Sequence, residues 1–251
     1  MIKLRSVPIP PELTEERKKT LTDEYKVTEK AVWQKDFICD PLLEMTHGKC
    51  CFSECKLNEE GKYDEVEHFH PKSLYPDEVV SWDNLLPINK ACNIAKGDHD
   101  TKAEPIINPR FDDPKIHLYF KGYRFYPKTE LGKKTIDVVG LNDWTMWVTP
   151  RFEIGKHIIE LLESILDQTR TFFSIGPQTV LRRNRLLSRL RGLMIEGTEK
   201  YAYSATVATV LLNEECYQEI KSLFEANGLW SDELQNLEDQ ISLCALDITN
   251  K

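Results

Sequence analysis

One stretch of the chain concentrates residue types able to hydrolyse a phosphodiester. It runs Glu65-Val66-Glu67-His68-Phe69-His70-Pro71-Lys72-Ser73, then Trp82-Asp83-Asn84-Leu85-Leu86, then Ala91-Cys92-Asn93-Ile94-Ala95-Lys96-Gly97-Asp98. Such hydrolysis requires an activated water and neutralisation of the charge that builds on phosphorus and on the leaving 3′ oxygen. A neutral His of near-physiological pKa takes the proton from water, the part His68 fits. A hard cation, Mg²⁺ (or Mn²⁺), accepts oxygen ligands and keeps several waters, so the Glu67 carboxylate and the Asn93 amide oxygen suffice beside a substrate phosphate. Lys96 adds a positive charge for substrate binding. His70 reads either as a further substrate contact or as a solvent-facing loop residue.

These side chains must be positioned by short elements. Adjacent residues on a strand point to opposite faces, so Glu67 and His68 have to sit at a strand end or bend for both to reach one phosphate. The Phe69-His70-Pro71 loop allows that. Taken singly, Asn84 reads as a turn residue and Asn93 as a helix cap, and only their place in the ordered set gives them a chemical reading.

The set resembles the HNH, or ββα-metal, endonucleases, in which two short strands carry a carboxylate and His pair, a loop carries a central Asn, and a helix carries the last metal ligand. The resemblance implies an α+β fold with a ββα-metal nuclease core. It makes Glu67 and Asn93 metal ligands, His68 the general base, Asn84 the residue that orients the His and the loop, and Lys96 a phosphate contact. The blocks "VEHFHPKS", "WDNLLPINKACNIAKGD", "NPRFDDPKIHLYF" and "TIDVVGLN", over roughly residues 40–145, are similar to the narrower group of PtuB-type HNH nucleases of Septu anti-phage systems. That likeness implies a nucleic-acid substrate, DNA first and RNA second, and a PtuA-like ATPase as partner.

Two departures stand out. Glu67 occupies a position where many relatives of this kind have Asp. Many also hold a structural Zn²⁺ with two Cys-x-x-Cys pairs. Here Ser53 stands three residues after Cys50, and Asn89 three before Cys92, so each pair has lost a thiol. Cys50 and Cys92 remain at the expected positions, and Cys55, Cys51 or His47 is near enough in sequence to complete a shifted site.

The remainder of the chain frames this stretch. Its 251 residues, 41% apolar and 10% aromatic, suffice for a sizeable core and exclude a wholly disordered or fibrous protein. Three zones differ in texture: an N-terminal helical arm over 1–36, the nuclease domain over 37–150, and an all-α bundle over 151–251. Turn signals at Asn58 to Gly61 and Phe111 to Pro114 mark the middle zone as mixed α and β. Ile154, Ile158, Leu161, Leu162 and Ile165, and later Leu186, Leu187, Leu190, Leu193 and Met194, recur at helical spacing, and glycines divide that zone into about four helices. Cys216 and Cys244 read as core thiols. With no membrane-length apolar run and no signal peptide, the expected location is the cytoplasm.

A net charge of −8 argues against coating nucleic acid by bulk charge. Residues 214–251, however, hold nine acids and two lysines, leaving 32 acids and 31 bases in the first 213. A local basic site is therefore compatible with the composition. Residues 181–191 contain five arginines and no acid, which suits a nucleic-acid backbone, an acidic partner or a solvated helix face. Two other readings stay open: an RNA-cutting effector, and a catalytically inactive binding module.

Overall fold

In the computed structural model, which describes residues 1–57, 64–176 and 178–249, the chain is α+β. The turn expected at Asn58 to Gly61 lies outside the described residues. The chain divides into two compact units, one of residues 1–118 and 125–143, the other of 119–124 and 144–251.

The first unit opens with α1 (Glu15–Thr28) and α2 (Asp36–Thr46). Thr14 caps α1 by accepting from the Arg17 N–H at 3.2 Å, and Glu29 ends it in the left-handed conformation. The expected arm thus belongs to the first unit. Its charged face is exposed, while Leu13, Leu21 and Val32 are buried.

Strands β1 (Asp64–His68) and β2 (Leu85–Asn89) pair antiparallel, with Glu67 opposite Leu86 and His68 opposite Leu85. Every residue of β2 is buried. Pro87 has no N–H to give, and its carbonyl accepts from the Cys51 N–H at 3.0 Å, which ties the cysteine loop to this strand. Helix α3 (Lys90–Lys96) follows directly, so the order is strand, strand, helix, and α3 packs on both strands. Asn89 is its cap, its Oδ1 accepting from the Ala91 N–H at 2.8 Å. Gly97, at φ +51°, ends the helix immediately after Lys96 with its N–H on the Asn93 carbonyl.

Short α4 (Pro114–His117), the hairpin β3 (Leu118–Lys121) and β4 (Arg124–Pro127), and α5 (Glu130–Val139) come next, and α5 packs on α3. The tip of the hairpin, 119–124, belongs to the second unit.

Besides that hairpin tip, the second unit holds a π-helical turn, Trp144–Val148, and among its described residues five helices: α6 (Thr149–Ser174), α7 (Val180–Glu196), α8 (Ser204–Asn213), α9 (Glu215–Ala226) and α10 (Asp232–Cys244). Helix α6 buries Ile158, Leu162, Ile165, Leu166 and Phe172 and packs on α7, α8 and α9. The sequence gives about four helices here. The fifth arises where α8 passes to α9 at Glu214, whose extended backbone breaks the run without Gly or Pro. Cys244 is buried in this unit and Cys216 half-buried. Among the described residues no helix is long and apolar enough to cross a membrane.

Candidate functional site

The period of β1 sorts its side chains. Glu65 and Glu67 share one face and Val66 and His68 the other. The two glutamates meet α3. Lys96, only 3% exposed, forms an ion pair with Glu67, itself 4% exposed, and its Nζ also donates to the His68 carbonyl at 3.2 Å. Burial pushes the Glu67 carboxyl up, and the attraction of Lys96 offsets only part of that rise. One turn earlier on α3, the Asn93 amide donates to Glu65 Oε2 at 2.6 Å. Glu65 has no site role in the sequence reading. Its signal was the period of two that places it beside Glu67.

His68 ends β1 with its ring on the opposite side. Its Nε2 lies 2.9 Å from the Val79 carbonyl, and the Trp33 ring stands edge-on at 4.4 Å between centroids. A carbonyl only accepts, so Nε2 carries the hydrogen and Nδ1 holds the lone pair, the tautomer a general base needs. Burial holds the imidazole pKa down at about 4, against the raising effect of the Val79 bond, so the ring is neutral at pH 7. That pKa lies below the near-physiological value expected for the base, which makes the ring a weaker proton acceptor. The sequence contains no local cue for Trp33 or Val79, which are 35 and 11 positions away.

Asn84, 3% exposed, fastens the loop after β1. Its Oδ1 accepts from the His70 N–H at 2.6 Å, and its Nδ2 donates to the carbonyls of His70 and Glu78 at 3.1 and 3.2 Å. Its own carbonyl accepts from the Phe69 N–H at 2.9 Å. The His70 ring is held within the same loop system, with Nδ1 2.6 Å from Thr101 Oγ1, which donates in turn to the Phe69 carbonyl. Asn84 therefore fixes the backbone on the C-terminal side of His68.

The structure thus gathers Glu65, Glu67, Asn93 and Lys96 on one face of β1. His68 joins them through its backbone, while its ring makes its contacts with Val79 and Trp33 on the other face. The oxygen donors Glu67, Asn93 and Glu65 have the chemistry a hard divalent cation takes. Among the described residues, no three or more His, Cys, Asp or Glu side chains are drawn together as a ready-made metal cage. A Mg²⁺ site of one or two protein carboxylates completed by water does not need one.

The sulfur cluster lies behind β2. Cys50, Cys55 and Cys92 are buried, and Cys51 joins them. Burial alone would raise the Cys50 thiol, but hydrogen bonds from Cys51, Cys55, Cys92 and Ser53 outweigh it and pull it well down. The two positions that lack a knuckle thiol both have hydrogen-bonding work: Ser53 donates through Oγ to Cys55 Sγ at 3.2 Å, and Asn89 caps α3.

No family model matches the chain. Among curated proteins it is 42% identical to the Septu protein PtuB of Bacillus thuringiensis over 237 residues, covering 94% of this chain and 92% of that protein. It is 30% identical over 193 residues to the Septu protein PtuB of Bacillus mycoides (strain KBAB4), covering 64% of each.

Proposed function

Since the chain belongs to the PtuB family of Septu proteins, we propose that it is a metal-dependent HNH endonuclease that cuts nucleic acid, DNA in the first instance, in anti-phage defence together with a PtuA-like ATPase. The observation that carries this reading is the imidazole of His68, fixed by the Val79 carbonyl with Nδ1 unprotonated, at the end of the strand that also presents Glu67 to Lys96 and Glu65 to Asn93. A structural HNH core of β1, β2 and α3 is part of the proposal.

In this reading His68 Nδ1 takes a proton from water as its oxygen attacks phosphorus. The bond from phosphorus to the 3′ oxygen breaks and leaves a 5′-phosphate. Glu67 and Asn93 would hold Mg²⁺ (or Mn²⁺), with Glu65 near enough through Asn93 to assist, and the ion would supply Lewis-acid stabilisation of the leaving oxygen. Asn84 keeps the loop, and with it the His68 backbone, in place. Lys96 holds the buried Glu67 ionised and would supply positive charge for the substrate phosphate. His70, held by Asn84 and Thr101, lines the same loop as a substrate contact. The thiols of Cys50, Cys55 and Cys92 have the donor chemistry a structural Zn²⁺ would take, but among the described residues they are not drawn together as a metal cage.

The test is cleavage of DNA and RNA substrates in parallel, with the cognate ATPase, in Mg²⁺ or Mn²⁺ and after chelation. Chelator-sensitive cutting of DNA supports the reading. Cutting of RNA alone redirects it to an RNA-cutting effector, and no cutting under any condition favours a binding module.

A further inference from the structure

We infer that Arg182, Arg185 and Arg189 on α7 form a binding surface for the phosphate backbone of nucleic acid, on a different unit from the one that carries Glu67 and His68. The choice of a nucleic-acid occupant rests on the nuclease reading above.

The three arginines line one groove of about 450 Å³ between α6 and α7, floored by Phe172 and Leu186, with Asp167 as the one acid on its wall. None of the three is ion-paired among the described residues. Arg189 donates to Ser164 Oγ at 3.2 Å, and the Arg182 and Arg185 side chains are exposed. Several other cations of the unit do find acids. Arg191, on the same helix, is paired with Glu233 at 2.6 Å, Arg170 with Glu219 at 2.6 Å, and Lys221 with Glu238 at 2.6 Å. A solvated helix face in an acidic unit is expected to pair its arginines in this way. Here three are left with their guanidinium groups turned to one groove.

Their spacing suits a regular polyanion. Positions i, i+3 and i+7 fall on one helix face, and seven residues rise about 10 Å. That is the axial length of about three phosphates on one strand at roughly 3.4 Å each. The positive end of the α7 dipole lies beside Arg182 and adds to the attraction. In the unit that carries Glu67 and His68, Lys96 is tied to Glu67, so a second holding site elsewhere in the chain would add to the grip on substrate. Tethering also raises the local concentration of substrate for a weakly binding catalytic unit.

The experiment is fluorescence anisotropy of the full chain with a labelled DNA duplex, a DNA strand and an RNA strand in EDTA, over a salt series. Wild type should bind, with log K falling against log salt at a slope of about −2.7 for three duplex contacts. Arg182→Glu/Arg185→Glu, at two exposed positions, should keep the circular dichroism of wild type, bind at least about tenfold more weakly and flatten the slope by about 2. Arg191→Ala should change binding less than about twofold, because its charge is already paired. His68→Ala should bind as wild type, so loss of cleavage without loss of binding, or the reverse, tells failure of one reading from failure of the other. Equal binding by the double variant, or no binding by wild type, overturns the inference. So does tight binding of a poly-glutamate peptide with no binding of DNA or RNA, which would assign the groove to an acidic protein segment.

Discussion

Asn84 grips the backbone of His70 from both sides, accepting from its N–H at 2.6 Å and donating to its carbonyl at 3.1 Å. Asn84→Ala removes these bonds and the one to Glu78 while leaving buried backbone groups unpaired, so it should cost about 3 kcal/mol in urea unfolding. Asn84→Asp keeps the acceptor but loses both donations and sets a carboxylate against two carbonyls. It should recover little of that stability, and neither variant should cut. Wild-type stability in Asn84→Ala would show that the loop is held by other means.

Glu67 and Lys96 form a buried ion pair in which each partner is under 5% exposed. Removing one partner strands the other, and Lys96→Met should lower stability by about 3–5 kcal/mol. Glu67→Gln/Lys96→Met removes both charges and should regain most of that loss. Activity should be absent from the double variant despite its stability, because Glu67 is the proposed metal ligand. A double variant as unstable as the single one would mean that packing, not charge, sets the cost.

Trp33 covers the His68 ring, with Lys72 Nζ over its own face at 5.5 Å and Tyr25 at its edge. Trp33→Ala opens a cavity in this cluster and should cost about 3 kcal/mol, with loss of cleavage as the imidazole loses its support. Trp33→Phe retains an aromatic edge and should keep most of the activity. Unimpaired cleavage by Trp33→Ala would remove the indole from any part in positioning His68.

The sulfur cluster gives a prediction about metal. A ligand that binds only the folded state raises its stability, so added Zn²⁺ should raise the Tm of the reduced protein, and Cys50→Ala should abolish that rise. Thermal unfolding with and without Zn²⁺ reads this directly. An unchanged Tm in wild type would leave the four thiols as a hydrogen-bonded core cluster without metal.

The parts of the fold that were legible in the sequence are local. The strand carrying Glu67 and His68 and the short helix carrying Asn93 and Lys96 follow from the residue pattern, but the expected convergence of Glu67 and His68 on one phosphate is not seen in their side-chain contacts, because the period of two persists to the end of the strand. The structure keeps them apart in side-chain contacts, and the link runs through the His68 backbone to Lys96. The missed relations join distant residues. Glu65 meets Asn93 across 28 positions and Trp33 meets His68 across 35, and neither pairing has a sequence period to announce it. Ser53 and Asn89 looked only like lost thiols, because a cap and a sulfur hydrogen bond become visible once the loop and α3 are placed. The break at Glu214 was hidden for a related reason: no Gly or Pro marks it, and the packing of α8 and α9 on α6 sets it.

The proposed role of His68 is open to one direct measurement, Mg²⁺-dependent cleavage of DNA by wild type and by His68→Ala, each with the cognate ATPase. Loss of the base should lower the rate by at least about a hundredfold while the chain remains folded. Cleavage at the wild-type rate by His68→Ala would contradict the assignment.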